Sequence, residues 1–501
     1  MNNIIGRERQ IADLMALYNS KKAEFVAIYG RRRVGKTFLV GETLKGLITF
    51  RHAGLSPVEE DDSIKMPEPL NEEQEIRKTQ GTLKMQLEHF HLSLKLHGYK
   101  GRKKPKSWIE AFFLLEQLLI SLDNGSRQVV FLDELPWLDT PRSSFLVAFE
   151  AFWNTWACHR NILLVVCGSA NSWILDNLIN NKGGLYGRTT YQIKLSPFSL
   201  AECKKFYKAK EMELSDYDIV QSYMILGGIP FYMGYMRREL SLAQNIDNLF
   251  WTNEAILKSE FDRLFRAVFK SAQEVREIVL FLAKRHKGYT RQEIINGTSQ
   301  SDGRDLSYRL RALIESDFVT EYIPFGCVKR DIHYKLSDPF CIFYIHFVLG
   351  RFESPGFWSG NFNSPRISSW RGIAFEEVCM NHIGQIKQAL GIGGVTSEQS
   401  AWALQGDGNT EGTQIDLLII RKDNMVNMCE MKYYADDFEV DKEYDKKLRH
   451  RLTVLSEKLP KRFGIHPTII TTFGVKKNMY SSFFVRELTM DCLFAEPYNV
   501  W

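Results

Sequence analysis

The residues best equipped for chemistry stand near the start of the chain. Gly30-Arg31-Arg32-Arg33-Val34-Gly35-Lys36-Thr37 follows directly on the apolar run Phe25-Val26-Ala27-Ile28-Tyr29. Glycines at 30 and 35 permit a tight loop between a strand and a helix, with backbone N–H groups turned inward on a phosphate. Lys36 then reaches the outer phosphates of a nucleotide, and the Thr37 hydroxyl is a ligand for Mg2+. The same letters without that setting describe a glycine turn and a solvated arginine run. The strand before the loop and the helix-like stretch 37–44 after it favour the phosphate reading. The expected nucleotide contacts are Gly30, Arg31, Arg32, Arg33, Val34, Gly35, Lys36, Thr37 and Phe38.

Val129-Val130-Phe131-Leu132-Asp133-Glu134 is an apolar run ending in two carboxylates and looks like a Walker B element. A parallel strand covered on both faces reads as such a run, and ligands gather at the carboxyl ends of such strands. Asp133 is then placed to hold the Mg2+ shell, and Glu134 to orient or deprotonate the attacking water. A third run, residues 162–167, ends in Gly168-Ser169-Ala170-Asn171, whose polar end is expected beside the second motif. Further on, Gly184-Leu185-Tyr186-Gly187-Arg188 offers Arg188 either as a transition-state cation or as an ordinary surface arginine.

With Gly6-Arg7-Glu8 and Gly227-Gly228-Ile229-Pro230-Phe231-Tyr232, these motifs stand in an order that resembles the archaeal-type ATPase family, a STAND-like branch of the AAA-related P-loop NTPases. The likeness spans roughly the first half of the chain. It implies ATP binding and hydrolysis, a γ-phosphate sensor at Ser169 with Asn171 in reserve, a Gly6-Arg7-Glu8 segment near the base, and a helical subdomain around the GGIP turn. The stretch from Ser56 to Gln80, rich in Glu, Pro and Lys, departs from that pattern and reads as a long mobile insertion.

Composition sets the frame around these motifs. At 501 residues the chain is long enough for about three domains. Its 44% hydrophobic and 25% charged residues are ordinary for globular chains. No apolar run of about 18 residues is present to span a bilayer, and Met1 to Arg9 has no signal-peptide core, so a cytoplasmic protein without membrane contact is expected. The eight scattered cysteines contain no CxxC pair, which points to free thiols in a reducing compartment. A net charge of +5 permits nucleic-acid binding without arguing for it.

The middle of the chain reads as three helices and a hairpin. Helix-like stretches cover residues 275–283, a short segment capped by Thr290 with Glu293 closing the box, and residues 304–315; β-like runs follow at 318–323 and 332–336. That is the pattern of a winged helix, whose third helix carries Arg304, Arg309 and Arg311 toward DNA phosphates or base edges. The competing reading makes the module a nucleotide-sensing lever packed on the ATPase.

In the last third, a helix carrying Glu376 precedes a hairpin with Asp416 on one strand and Glu430 and Lys432 on the next. Alternation along a strand puts Glu430 and Lys432 on one face and Met431 on the other. Two carboxylates beside a lysine are hard ligands for Mg2+ or Mn2+ with a base near the attacking water. The arrangement is similar to the PD-(D/E)XK nuclease core, with Glu376 as an additional metal ligand. Such folds are also inherited without activity.

These readings describe a multidomain α/β chain. A P-loop ATPase domain at 1–200, a helical subdomain at 201–268, a winged helix at 269–345 and a restriction-endonuclease-like α/β domain at 346–501 are expected. The catalytic candidates are Lys36, Glu134, Ser169, Arg188 and Lys432; the metal-ligand candidates are Thr37, Asp133, Glu376, Asp416 and Glu430. The leading expectation is an ATPase that governs DNA contact and metal-dependent cleavage. The alternative is a nucleotide-dependent switch or scaffold with a silent nuclease-like domain, partnered by a regulatory protein or a second copy.

Overall fold

The computed structural model describes residues 4–56, 72–180, 183–269, 271–351, 353–404 and 413–496. The chain divides into two compact units, residues 1–196 with 267–270, and residues 197–266 with 271–501. Among the described residues no helix is long and apolar enough to cross a membrane.

The first unit is built on a five-stranded parallel sheet. Strand β1 (Glu24–Tyr29) leads through the loop into α1 (Lys36–Thr43), and then come β2 (Ile48–Ala53), α2 (Glu72–Leu96) and α3 (Trp108–Ser121). Strand β3 (Gln128–Asp133), α4 (Phe145–Ala151), β4 (Ile162–Gly168) and β5 (Tyr191–Lys194) complete it. The spatial order is β2-β3-β4-β1-β5, so β4 lies between the loop strand and the strand carrying Asp133. β3 and β4 are buried at every position, which is why both read as unbroken apolar runs. An aromatic cluster packs on the sheet, with Phe25 against Phe149 and Trp153 and with Trp108 against Phe90 and Phe145. Of the expected insertion, residues 57–71 lie outside the described residues, while its end belongs to α2.

The second unit begins with α5 (Leu200–Ala209) and α6 (Asp216–Leu226), each opened by a serine capping box. Then follow α7 (Ala272–Leu282), β6 (Tyr289–Thr290), α8 (Arg291–Gly297) and α9 (Arg304–Glu315), and the antiparallel pair β7 (Val319–Tyr322) and β8 (His333–Leu336). Thr290 accepts from the Glu293 N–H and Glu293 from the Thr290 N–H, so the capping box is formed. β8 lies between β6 and β7 in a three-stranded sheet. Beyond it, α10 (Pro365–Asn381) precedes a mixed sheet of β9 (Ser397–Leu404), β10 (Thr413–Arg421), β11 (Met425–Lys432), β12 (Gly464–Thr471) and β13 (Arg486–Thr489). α11 (Lys442–Lys458) connects β11 to β12. The hairpin β10–β11 is antiparallel, whereas β11, β12 and β13 run parallel.

Three separate domains were expected across this unit. The expected helical subdomain packs directly on the expected C-terminal domain: Tyr217 of α6 stacks on Tyr433 at 4.9 Å and on Phe473 at 5.7 Å, and nearby the Leu200 N–H donates to His382 Nε2 at 3.0 Å. The aromatic residues responsible lie more than two hundred positions apart, beyond the reach of any local pattern.

Candidate functional site

The loop of residues 30–37 owes its shape to its glycines. Gly30 (φ +143°) lies against the Leu195 backbone, where a Cβ would collide with the carbonyl oxygen. Gly35 (φ +94°) caps α1 in the left-handed region with open space where its side chain would be. The first N–H groups of α1 have no intrahelical acceptor and face the loop, which is the donor set a phosphate requires. The Lys36 side chain is buried and donates to the carbonyls of Gly30 at 2.8 Å and Arg31 at 3.0 Å. Burial lowers its pKa, opposed by Glu134, Cys167 and Asp133. Arg31 and Val34 are buried, Arg32 and Arg33 half-buried, and Phe38 is half-exposed at 50%.

Asp133 closes the same site from the end of β3. The Thr37 hydroxyl donates to its Oδ1 at 3.1 Å, the Cys167 thiol donates to that oxygen at 3.3 Å, and Arg51 Nη2 lies 3.9 Å from Oδ2. Burial pushes the Cys167 thiol well up, so it remains a donor. The next residue, Glu134, is left-handed (φ 45°), a conformation that costs a non-glycine residue roughly 1–3 kcal/mol. Its carboxylate accepts from Ser169 twice, from the backbone N–H at 3.0 Å and from the hydroxyl at 3.0 Å. Burial raises the Glu134 pKa; Lys36 and both Ser169 donors pull it down, and Asp133 pushes it up.

Ser169 is therefore committed to Glu134, and its fully buried side chain orients that carboxylate. Asn171 meets the loop, its Oδ1 accepting from the Gly30 N–H at 2.8 Å. Arg188 is exposed on the turn before β5, its N–H bonded to the Leu185 carbonyl at 3.1 Å. In the first motif, Arg7 is left-handed (φ 63°) and donates to the Ser196 carbonyl at 2.7 Å. Thr37 and Asp133 present hard oxygens side by side, the chemistry Mg2+ selects, so the site fits a magnesium-bound nucleotide.

The C-terminal candidates are arranged otherwise. Glu430 is 1% exposed, and its carboxylate takes a hydrogen bond from Tyr444 at 2.7 Å, an ion pair with Arg451, and Lys432 Nζ at 3.6 Å. Glu376 pairs with His286 Nε2 at 3.1 Å, and Asp416 accepts from Gln414 Nε2 at 2.5 Å. Among the described residues no group of three His, Cys, Asp or Glu side chains is close enough to hold a metal ion. The expected ligand set does not fit a divalent cation, because Arg451 already supplies the positive charge at Glu430. Arg451 lies a helix away from the hairpin, and no spacing rule marks it. Arg309 differs likewise from its expected role on DNA. Its guanidinium bonds Ser271 at 3.1 Å and Gln300 at 3.0 Å and faces Glu274 at 3.9 Å, whereas Arg304 and Arg311 are exposed.

Comparison with known proteins agrees with the geometry of the first unit. Residues 4–236 match the model of a family described as an ATPase domain predominantly from Archaea. An uncharacterized protein of Methanocaldococcus jannaschii is 23% identical over 398 residues, covering 77% of this chain and 78% of that protein. A Walker-type ATPase of Pyrococcus abyssi is similar at 19% identity with a TM-score of 0.43, over 69% of this chain and 97% of that one. The ORC2 protein of Aeropyrum pernix, solved as ADPNP–ADP complexes, is similar at 12% identity with a TM-score of 0.38, over 70% and 96% of the two chains.

Proposed function

We propose that the chain binds ATP with Mg2+ at the loop of residues 30–37 and hydrolyses it. The observation that carries this reading is the Thr37 to Asp133 contact at 3.1 Å, which joins the loop to the carboxylate strand beside the buried Lys36. Thr37 and Asp133 would hold the ion, whose charge stabilises the phosphate oxygens when it is bound. Lys36 exchanges the carbonyls of Gly30 and Arg31 for phosphate oxygens, a trade of neutral acceptors for anionic ones. Burial raises the Glu134 pKa while Lys36 and the Ser169 donors pull it down, and its carboxylate is the proposed acceptor of a proton from the attacking water. Arg188 is the proposed cation for the transition state. Titration calorimetry with ATP and Mg2+ tests the site: saturable heat is expected, and its absence from folded protein overturns the reading.

For the second unit, the three-stranded sheet and the exposed Arg304, Tyr308 and Arg311 along α9 support a winged-helix contact to DNA. At the C-terminal hairpin, the Arg451 ion pair on Glu430 favours a switch whose nuclease-like domain does not cut. Plasmid incubated with Mg2+ or Mn2+, with and without ATP, should stay intact. Nicking that disappears in Asp416→Ala and Lys432→Ala would reverse this reading.

A further inference from the structure

The second unit holds a half-open cavity of about 480 Å3 that the ATPase reading does not use. One wall is the β7–β8 hairpin with the turn at His286 and Lys287; the other is α10 with β9, β10 and β11. Its volume lies in the range of about 300–1,000 Å3 that accommodates small molecules. Met380, Ile383 and Met431 give it apolar surface, far more than a bare ion needs.

Charge decides what such a space admits. Four carboxylates line it, Glu321, Glu376, Glu377 and Asp416, against two lysines. Lys335 is taken by Glu377 at 2.6 Å, with 15% and 4% of the two side chains exposed. Lys287 is attracted by Asp416 while burial lowers its pKa. Glu376 then has His286 at 3.1 Å, an imidazole that carries charge only when protonated. Carboxylates thus outnumber lysines in the lining four to two, and Glu376 has only a histidine beside it.

We propose that this cavity binds a small organic cation, with its ammonium or guanidinium head on Glu376 and Asp416 and its apolar body on Met380, Ile383 and Met431. The site is independent of the nucleotide loop.

Calorimetry on the full chain with phenethylamine tests this, with 3-phenylpropionate as the anion of similar shape and Mn2+ alone as the bare cation. Saturable phenethylamine binding is expected, at least tenfold weaker in Glu376→Gln and in Asp416→Asn, unchanged in Lys36→Ala, and absent for 3-phenylpropionate. Unfolding midpoints of both acid variants within a few degrees of wild type establish that the loss is local. The proposal is overturned if neither phenethylamine nor its guanidinium counterpart binds, if the acid variants bind as wild type does, or if Mn2+ takes the site and the amine does not.

Discussion

Replacing Ser169 with alanine separates two roles for this residue. The hydroxyl donates to the Glu134 carboxylate at 3.0 Å inside a buried site, while the Ser169 backbone N–H, also at 3.0 Å, survives the substitution. A hydrogen bond to a charged group contributes roughly 1.5–3 kcal/mol, and each ~1.4 kcal/mol is tenfold in rate. Loss of the hydroxyl should lower kcat for ATP hydrolysis roughly 10- to 100-fold. KM should hold, because Ser169 touches the base. A pH profile gives a second readout. Burial raises the Glu134 pKa and the Ser169 donors lower it, so removing one donor moves it further up. The base must be ionised to work, so the acid limb of kcat should shift to higher pH. Steady-state phosphate release across pH measures both. A Ser169→Ala enzyme that keeps its kcat and acid limb but loses ATP affinity would place the hydroxyl on the nucleotide and refute the positioning argument.

Lys36→Ala should weaken ATP binding by about two orders of magnitude, the loss expected for charge-assisted bonds to phosphate, read by calorimetry. Lys335→Met leaves Glu377 buried without its cation and should cost about 3–5 kcal/mol, seen as a lowered denaturant midpoint of the second unit. Arg304→Ala and Arg311→Ala should each weaken DNA binding and reduce the salt slope by about 1, measured by fluorescence anisotropy against salt. Arg309→Ala should lower stability and leave that slope alone, since its guanidinium is spent on Ser271, Gln300 and Glu274.

The parts legible in the sequence were those whose determinants are neighbours in the chain. The run 129–132, the loop glycines and the Thr290 capping box each state their own local geometry, and the helix over Arg304–Glu315 has the bounds its periodicity suggests. What escaped was pairing between distant segments. The polar end after residue 167 was expected beside the second motif, and Ser169 does meet Glu134 there, but nothing local records that β4 enters between β1 and β3 and so brings Asn171 to Gly30. The strand alternation that groups Glu430 with Lys432 carries no trace of Arg451 or Tyr444 arriving from α11. Arg309 is misjudged for the same reason: a basic residue on a helix face looks available until its neighbours from α7 are known.

The short path from Ser169 to Asn171 gives the first unit a common fulcrum. One end of this tripeptide steadies the Glu134 carboxylate, the proposed base, and the other holds the Gly30 peptide of the loop. A shift of the Gly30 peptide would reach Glu134 through only three residues of chain, Ser169 to Asn171.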